Sequence, residues 1–500
     1  MPDADAKPLL RPRNIILAVL LVVGVWLAIL GIKLATLKPG AAGKFNAALQ
    51  KSVEDAQADT AGEPNAWPLF RQTVALYDAL ADPAKVPAKP ADWPQGLSWP
   101  PAPEEADMPE ATEAVRAVLR ARLGQFADGG LLTSLDSLAA ARRFVRPIGE
   151  GRLLDLALPE LGSTRGIARL CKARMALAAE TDDQAEFIRA ATHALTLAQA
   201  VKRQSTIIDH LVGGAIDTLT SASIRTALRN RQLTPETCRA LLTLLDTRAP
   251  RLDIVRGLQG EHLFARDTVE WTHSDDGRGD GYLIPSIAFK VLEPAGGRAS
   301  SVPESLANFA TIVAPSKKDT LEAFDRFYAL AESYAATPLR ARGPLQSPDL
   351  FVETLSKRMF IVRALCPALG QYIRTADGIE VDVAGTKVML ALELHRAAHG
   401  EYPASLDALD AAAAPLRINP QWRSELRYRR NVPGQDPEGR PYLLYWIGFD
   451  GVDNESKPLP KSERWSTLST GKPGFDFLFT PPRDQEPTPP SPPAGKGPEI

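Results

Sequence analysis

The chain has 500 residues, of which 44% are hydrophobic and 24% charged. With 58 basic against 60 acidic residues, a net charge of −2 excludes a strongly basic nucleic-acid binder and a highly acidic solvating chain. Three cysteines exclude a disulfide-stapled scaffold and a four-cysteine zinc site, and 43 prolines point to linker and tail segments.

From Ile15 to Ile32 every residue is apolar or glycine. At about 1.5 Å of rise per residue the run nearly crosses a hydrocarbon core about 30 Å thick. Leu34, Ala35 and Leu37 extend it while Lys33 snorkels. A signal peptide has a shorter apolar core and a small-residue cleavage site. The only candidate, Pro39-Gly40-Ala41-Ala42-Gly43, is a poor one, so residues 15–37 are expected to be an uncleaved transmembrane anchor behind a cytoplasmic tail, 1–14. Lys7, Arg11 and Arg13 precede the run and Lys33, Lys38 and Lys44 follow it, leaving almost no charge bias. The short tail therefore sets the expectation of a single-pass protein, N-terminus inside, with the bulk extracytoplasmic.

Residues 38–109 read as stalk and proline-rich linker. Phe45, Leu49, Val53, Leu69, Val74, Leu76 and Leu80 mark helical positions, and eight prolines from Pro83 to Pro109 forbid helix beyond them. An α-helical domain is expected over 110–375, with helices at Thr164–Ala179, Gln184–Arg203 and Ile207–Arg229. A fourth opens at Thr234-Pro235-Glu236, where threonine caps and proline takes the first helical position. Residues 164–203 resemble a tetratricopeptide-type hairpin through small Ala178, Ala179, Ala185 and Ala194 around an aspartate-rich turn. No second copy follows at a 34-residue period, so an irregular TPR-like domain is expected. Further helices are expected at 251–273, Lys318–Ala335 and Pro348–Arg374, a loop at 274–302, and a disordered proline-rich tail at 481–500.

Residues 376–480 change character. A helix, Gly385–His399, stops at Gly400, a turn follows at Ser405–Leu409, and strand-like runs at Leu426–Arg430 and Tyr442–Gly448 flank a turn-rich segment. His399, Gly400, Tyr402, Pro403, Leu406, Leu409, Tyr428, Tyr445, Gly448, Asp450 and Gly451 appear in an order that resembles the globular head of type II secretion pseudopilins. The resemblance implies a small α+β module over about 385–480, envelope or secretion-system proteins as partners, and Ca²⁺ held by Asp450, Asp453 and Asp476 with help from Asn454. The anchor lacks the family's cleavage glycine and helix glutamate, so the likeness is confined to the head. In general style the whole chain resembles large membrane-anchored proteins of planctomycete-type bacteria.

The fold class expected is therefore mainly α: a transmembrane helix, an irregular helical domain and a pseudopilin-like α+β module. Glu261, His262, Asp267 and His273 are candidates for general acid–base work. His395 and His399 share a helix face but lack the glutamate of a zincin, and Cys171, Cys238 and Cys366 read as core. The functional expectation is a membrane-anchored, envelope-facing interaction or scaffold protein. The alternatives are an envelope hydrolase using 261–273 and a secretion-filament-associated subunit.

Overall fold

The computed structural model describes residues 37–82, 89, 113–292, 314–343, 345–366, 368–411, 416–432, 436, 439–458 and 473–480, together with 21, 22, 24 and 25. The fold is mainly helical. Helices α1 (Asn46–Asp55), α2 (Trp67–Leu80), α3 (Glu113–Asp128) and α4 (Leu131–Ala140) lead into α5 (Glu160–Glu180), α6 (Gln184–Lys202), α7 (Ile207–Arg229) and α8 (Pro235–Arg248).

Local chemistry sets these boundaries. Between α5 and α6, Asp182 takes a left-handed φ of 58° and the Asp183 carboxylate accepts the Glu186 N–H, which closes the expected hairpin. Thr206 caps α7 by accepting from the Asp209 N–H, and Thr234 caps α8 with Pro235 at its first position. Consecutive helices pack on one another: α5 on α6, α6 on α7, and α2 and α4 across them.

A second group follows. Helix α9 (Ile254–Thr272) lies against α11 (Lys317–Ala336), with the short α10 (Pro285–Leu292), α12 (Pro348–Thr354) and α13 (Phe360–Leu365) around them. Ser316 and Asp319 form a reciprocal capping box at the start of α11. The last long helix, α14 (Leu369–His399), has 31 residues. Its first half sends Leu369, Tyr372, Ile373 and Ile379 into the core of α9 and α11, where Leu258, Phe324 and Phe327 are fully buried. Its second half sends Val388, Met389, Leu390 and Leu392 into another core, shared with Leu195, Ile224, Leu241, Trp422 and Trp446.

After α14 the left-handed Gly400, φ 82°, ends the helix, and α15 (Pro420–Glu425) leads into the sheet. Strand β1 (Leu426–Arg430) pairs antiparallel with β2 (Tyr442–Trp446), Leu426 opposite Trp446 and Arg430 opposite Tyr442. A short β3 (Phe477–Leu478) adds antiparallel to β2.

Several expectations are corrected. Residues 38–82 are not a stalk, because Leu49, Val53, Trp67, Phe70 and Val74 are buried against the body. Periodicity identified an apolar face but not the surface that covers it. Pro39 already bridges Ser274, and the Gly40 N–H donates to the Glu270 carbonyl at 2.7 Å. The helix expected from Gly385 starts sixteen residues earlier, so the boundary at 375/376 falls inside α14. The helix expected over Pro348–Arg374 is broken, and Cys366 is extended at ψ 115°, as the residue before Pro367 must be.

Among the described residues no helix is long and apolar enough to cross a membrane. Most of the apolar run 15–37, the linker 83–109 apart from residue 89, and the tail 481–500 lie outside the described residues.

Candidate functional site

The acidic and histidine residues of α9 are spread along its length. His262 Nε2 lies 2.7 Å from Asp325 Oδ1 on α11, and its ring stacks on Tyr328 with centroids 4.7 Å apart. Asp267 is fully buried, accepts the Leu153 N–H at 2.9 Å and faces Arg152 Nη1 at 3.5 Å. It thereby holds the turn Leu153–Asp155 against α9. His273 caps the other end, buried beside Thr272 Oγ1 at 3.0 Å, and burial pushes its imidazole down to about 4. Glu261, partly buried with no charged partner among the described residues to offset the loss of water, is pushed up to about 7.

Eleven positions along a helix correspond to about 16 Å, so His262 and His273 do not share a site. The neighbouring Glu270 is buried between Lys317 at 2.8 Å and Lys44 at 2.6 Å. Burial acts to raise it, but the two ammonium groups hold it below the usual carboxylate range. These groups join elements: α9 to α11, α9 to the 150–155 turn, and α9 to the chain entering at Lys44.

In the C-terminal module the three aspartates do converge on one loop region. Asp450 accepts the Val452 and Gly474 N–H groups at 3.1 and 2.9 Å. Asp453 meets Arg427 Nε at 3.2 Å, the Tyr445 hydroxyl at 3.1 Å and the Glu455 N–H at 3.0 Å. Asp476 accepts from the Asn454 and Ser456 N–H groups at 3.1 and 2.8 Å. Every carboxylate is already served by donors, one of them a guanidinium. Among the described residues no three His, Cys, Asp or Glu side chains are grouped to hold a metal ion. This donor set does not fit Ca²⁺, which takes six to eight oxygen ligands. Millimolar CaCl₂ is accordingly expected to leave the melting temperature unchanged; a rise of several degrees, absent in MgCl₂, would contradict that arrangement.

His395 and His399 stack with centroids 4.2 Å apart, and His399 Nδ1 contacts the His395 carbonyl at 3.0 Å. Cys171 and Cys238 are buried, Cys366 half-buried, and all three are free thiols. Burial pushes them up to about 11, 12 and 12, well away from thiolate reactivity.

Sequence reading missed a cavity of about 250 Å³ between α7, α8 and α14, lined by Asp217, Asp246, Arg251, Glu380 and Lys387. Arg417 lines it too, and the other five charges are matched within the chain. Lys202 pairs with Asp217, Lys387 with Asp246 at 2.7 Å, and Arg251 with Glu380 at 3.1 Å. Burial pushes Asp217 up to about 6 although Lys202 opposes it. The signal was present as Lys387 inside the apolar run of α14, where a buried charge requires a partner. Comparison of the chain with protein families, with curated proteins and with solved structures finds no match in any of the three.

Proposed function

We propose that this chain is a single-pass, membrane-anchored interaction or scaffold protein that presents a pseudopilin-like α+β module on a rigid helical body. The observation that carries the proposal is at the N-terminal end. Residues 21, 22, 24 and 25 are helical, and Leu21, Val22 and Val25 are 69%, 66% and 53% exposed within an apolar run that water disfavours. The run reaches the folded body at once, since Pro39 pairs with Ser274.

The scaffold reading draws on α14, which joins body and module through two cores and leaves no hinge at residue 376. The order of helix, left-handed Gly400, turn and antiparallel strands supports the pseudopilin-like reading. The Asp450 and Asp476 carboxylates that close the loop after β2 support it as well.

Alkaline carbonate extraction of membranes from cells making the full chain tests the anchor. The protein is expected to stay with the membrane pellet, and L21E/V22E/V25E to move it to the supernatant, since a charge at the centre of a span costs about 2.5–3.5 kcal/mol. Release of the unaltered protein by carbonate would overturn the anchor.

A further inference from the structure

Where the chain enters the folded body it joins a short ladder. Pro39 bridges Ser274, and the Ser274 N–H donates to the Tyr282 carbonyl at 2.9 Å, while the Tyr282 N–H donates to Ser274 Oγ at 2.9 Å. His273 bridges Leu283 beside them, so Pro39, Ser274 and Tyr282 lie on successive strands of backbone. Neighbouring strands are about 4.8 Å apart, which puts Tyr282 about 10 Å from Pro39 across the ladder. Leu37, the last apolar residue of the N-terminal run, stands only two positions before Pro39.

Two large apolar side chains point outward beside this entry. Tyr282 is 52% exposed although Leu283 next to it is buried, because alternation along a strand turns one into the core and the other out of it. Leu154 is 44% exposed on the turn whose Leu153 N–H is fixed on Asp267 and whose Arg152 holds the Gly40 carbonyl. Hydrogen-bonded backbone thus presents both to the outside next to the entering chain. The loop before Tyr282 carries Asp275, Asp276 and Asp280 against Arg278. Its carboxylates are engaged within the body: Asp275 by Lys317 at 3.3 Å, Asp276 by the Arg278 and Asp280 N–H groups at 2.7 and 3.0 Å, and Asp280 by the Lys318 N–H at 3.1 Å.

We propose that Tyr282 and Leu154 rest in the headgroup region of the bilayer, so that the surface around Pro39 is a lipid contact. This rests on the anchoring proposed above and adds which face of the body meets the lipid. A span that ends at Leu37 brings the residues flanking Pro39 to the membrane–water interface, and a tyrosine, apolar in its ring and polar at its tip, suits that depth. With three aspartates against one arginine, the loop gives anionic lipid nothing to attract. Apolar and aromatic contact with zwitterionic lipid is therefore the interaction.

The test uses the full chain in phosphatidylcholine vesicles that contain no other protein. Y282C, L154C and, as a control on the C-terminal module, V432C are each labelled with bimane in a C366A background, since Cys171 and Cys238 are buried. Val432 is 66% exposed, so the label sits as openly there as at the two test positions. Interfacial groups lie about 5–10 Å into the headgroup and acyl boundary, so bromine on the lipid chains is expected to quench Y282C and L154C by about half or more and to leave V432C unchanged. Flotation with the vesicles but no quenching at 282 or at 154, or equal quenching of V432C, would overturn the contact and leave the anchor standing; a face reserved for a partner protein gives the first of these results. Failure to float would overturn the anchor, and the contact with it.

Discussion

Replacing Arg146 with methionine is expected to cost about 3–5 kcal/mol of folding stability, read as a lowered urea midpoint with an unchanged slope. Arg146 is 5% exposed. Its two terminal nitrogens reach Asp209 at 2.7 Å each, and one also reaches Glu160 at 2.7 Å. Its guanidinium lies 4.7 Å above the Trp67 ring. Methionine keeps the stem but leaves two carboxylates buried with no cation, and that uncompensated charge is the main penalty. Asp209 also accepts from the Thr206 hydroxyl at 2.7 Å, so the damage reaches the cap of α7. Neutralising all three partners together, in R146M/E160Q/D209N, is expected to recover most of the loss, because the stranded charges go with the cation. A loss under about 1 kcal/mol for R146M alone would mean that water reaches the pair, as it does at exposed ion pairs.

The second large effect is steric. Gly260→Ala is expected to destabilise by about 3 kcal/mol, the upper end of the usual overpacking range. A Cβ at residue 260 would overlap the backbone carbonyl oxygen of Ser205, which has no rotamer by which to retreat. Ser205 stands just before Thr206, the N-cap of α7, and next to Gln204, whose carbonyl meets His210 Nε2 at 2.9 Å. Pushing that strand of backbone outward disturbs both the cap and the buried histidine. The control is Gly124→Ala on α3, where a new Cβ meets nothing within 4 Å. There, higher helix propensity is expected to leave stability unchanged or raise it by up to about 1 kcal/mol. Equal melting temperatures for the two variants would show that α9 and the Ser205 backbone separate readily.

How far the fold was legible in the residues depended on how local each signal was. Ile207–Arg229 and the Thr234-Pro235 start were readable because caps and apolar period lie within a few residues of each other. The hairpin of β1 and β2 was readable for the same reason. Helix α14 was not, since Asp377, Asp382 and Lys387 interrupt its apolar pattern. Their partners, Arg342, Arg225 and Asp246, come from distant parts of the chain. The α9 candidates Glu261, His262, Asp267 and His273 looked like a cluster because sequence places them within thirteen positions, whereas helical rise separates them and each turns to a different neighbour.

The pairing of Pro39 with Ser274 bears on how the protein would sit in a cell envelope. On the proposed anchoring, the lipid span ends at Leu37 and the first backbone link to the body comes two residues later. A fully extended chain covers about 3.3–3.6 Å per residue, so the leash is shorter than about 10 Å. Just beyond that link, Arg152 holds the Gly40 carbonyl and Lys44 pairs with Glu270, so the chain is fixed to the body from there on. Such a body has almost no radius to sweep and little freedom to roll. It would meet other proteins by lateral diffusion in the plane of the bilayer, always offering them the same side at the same height.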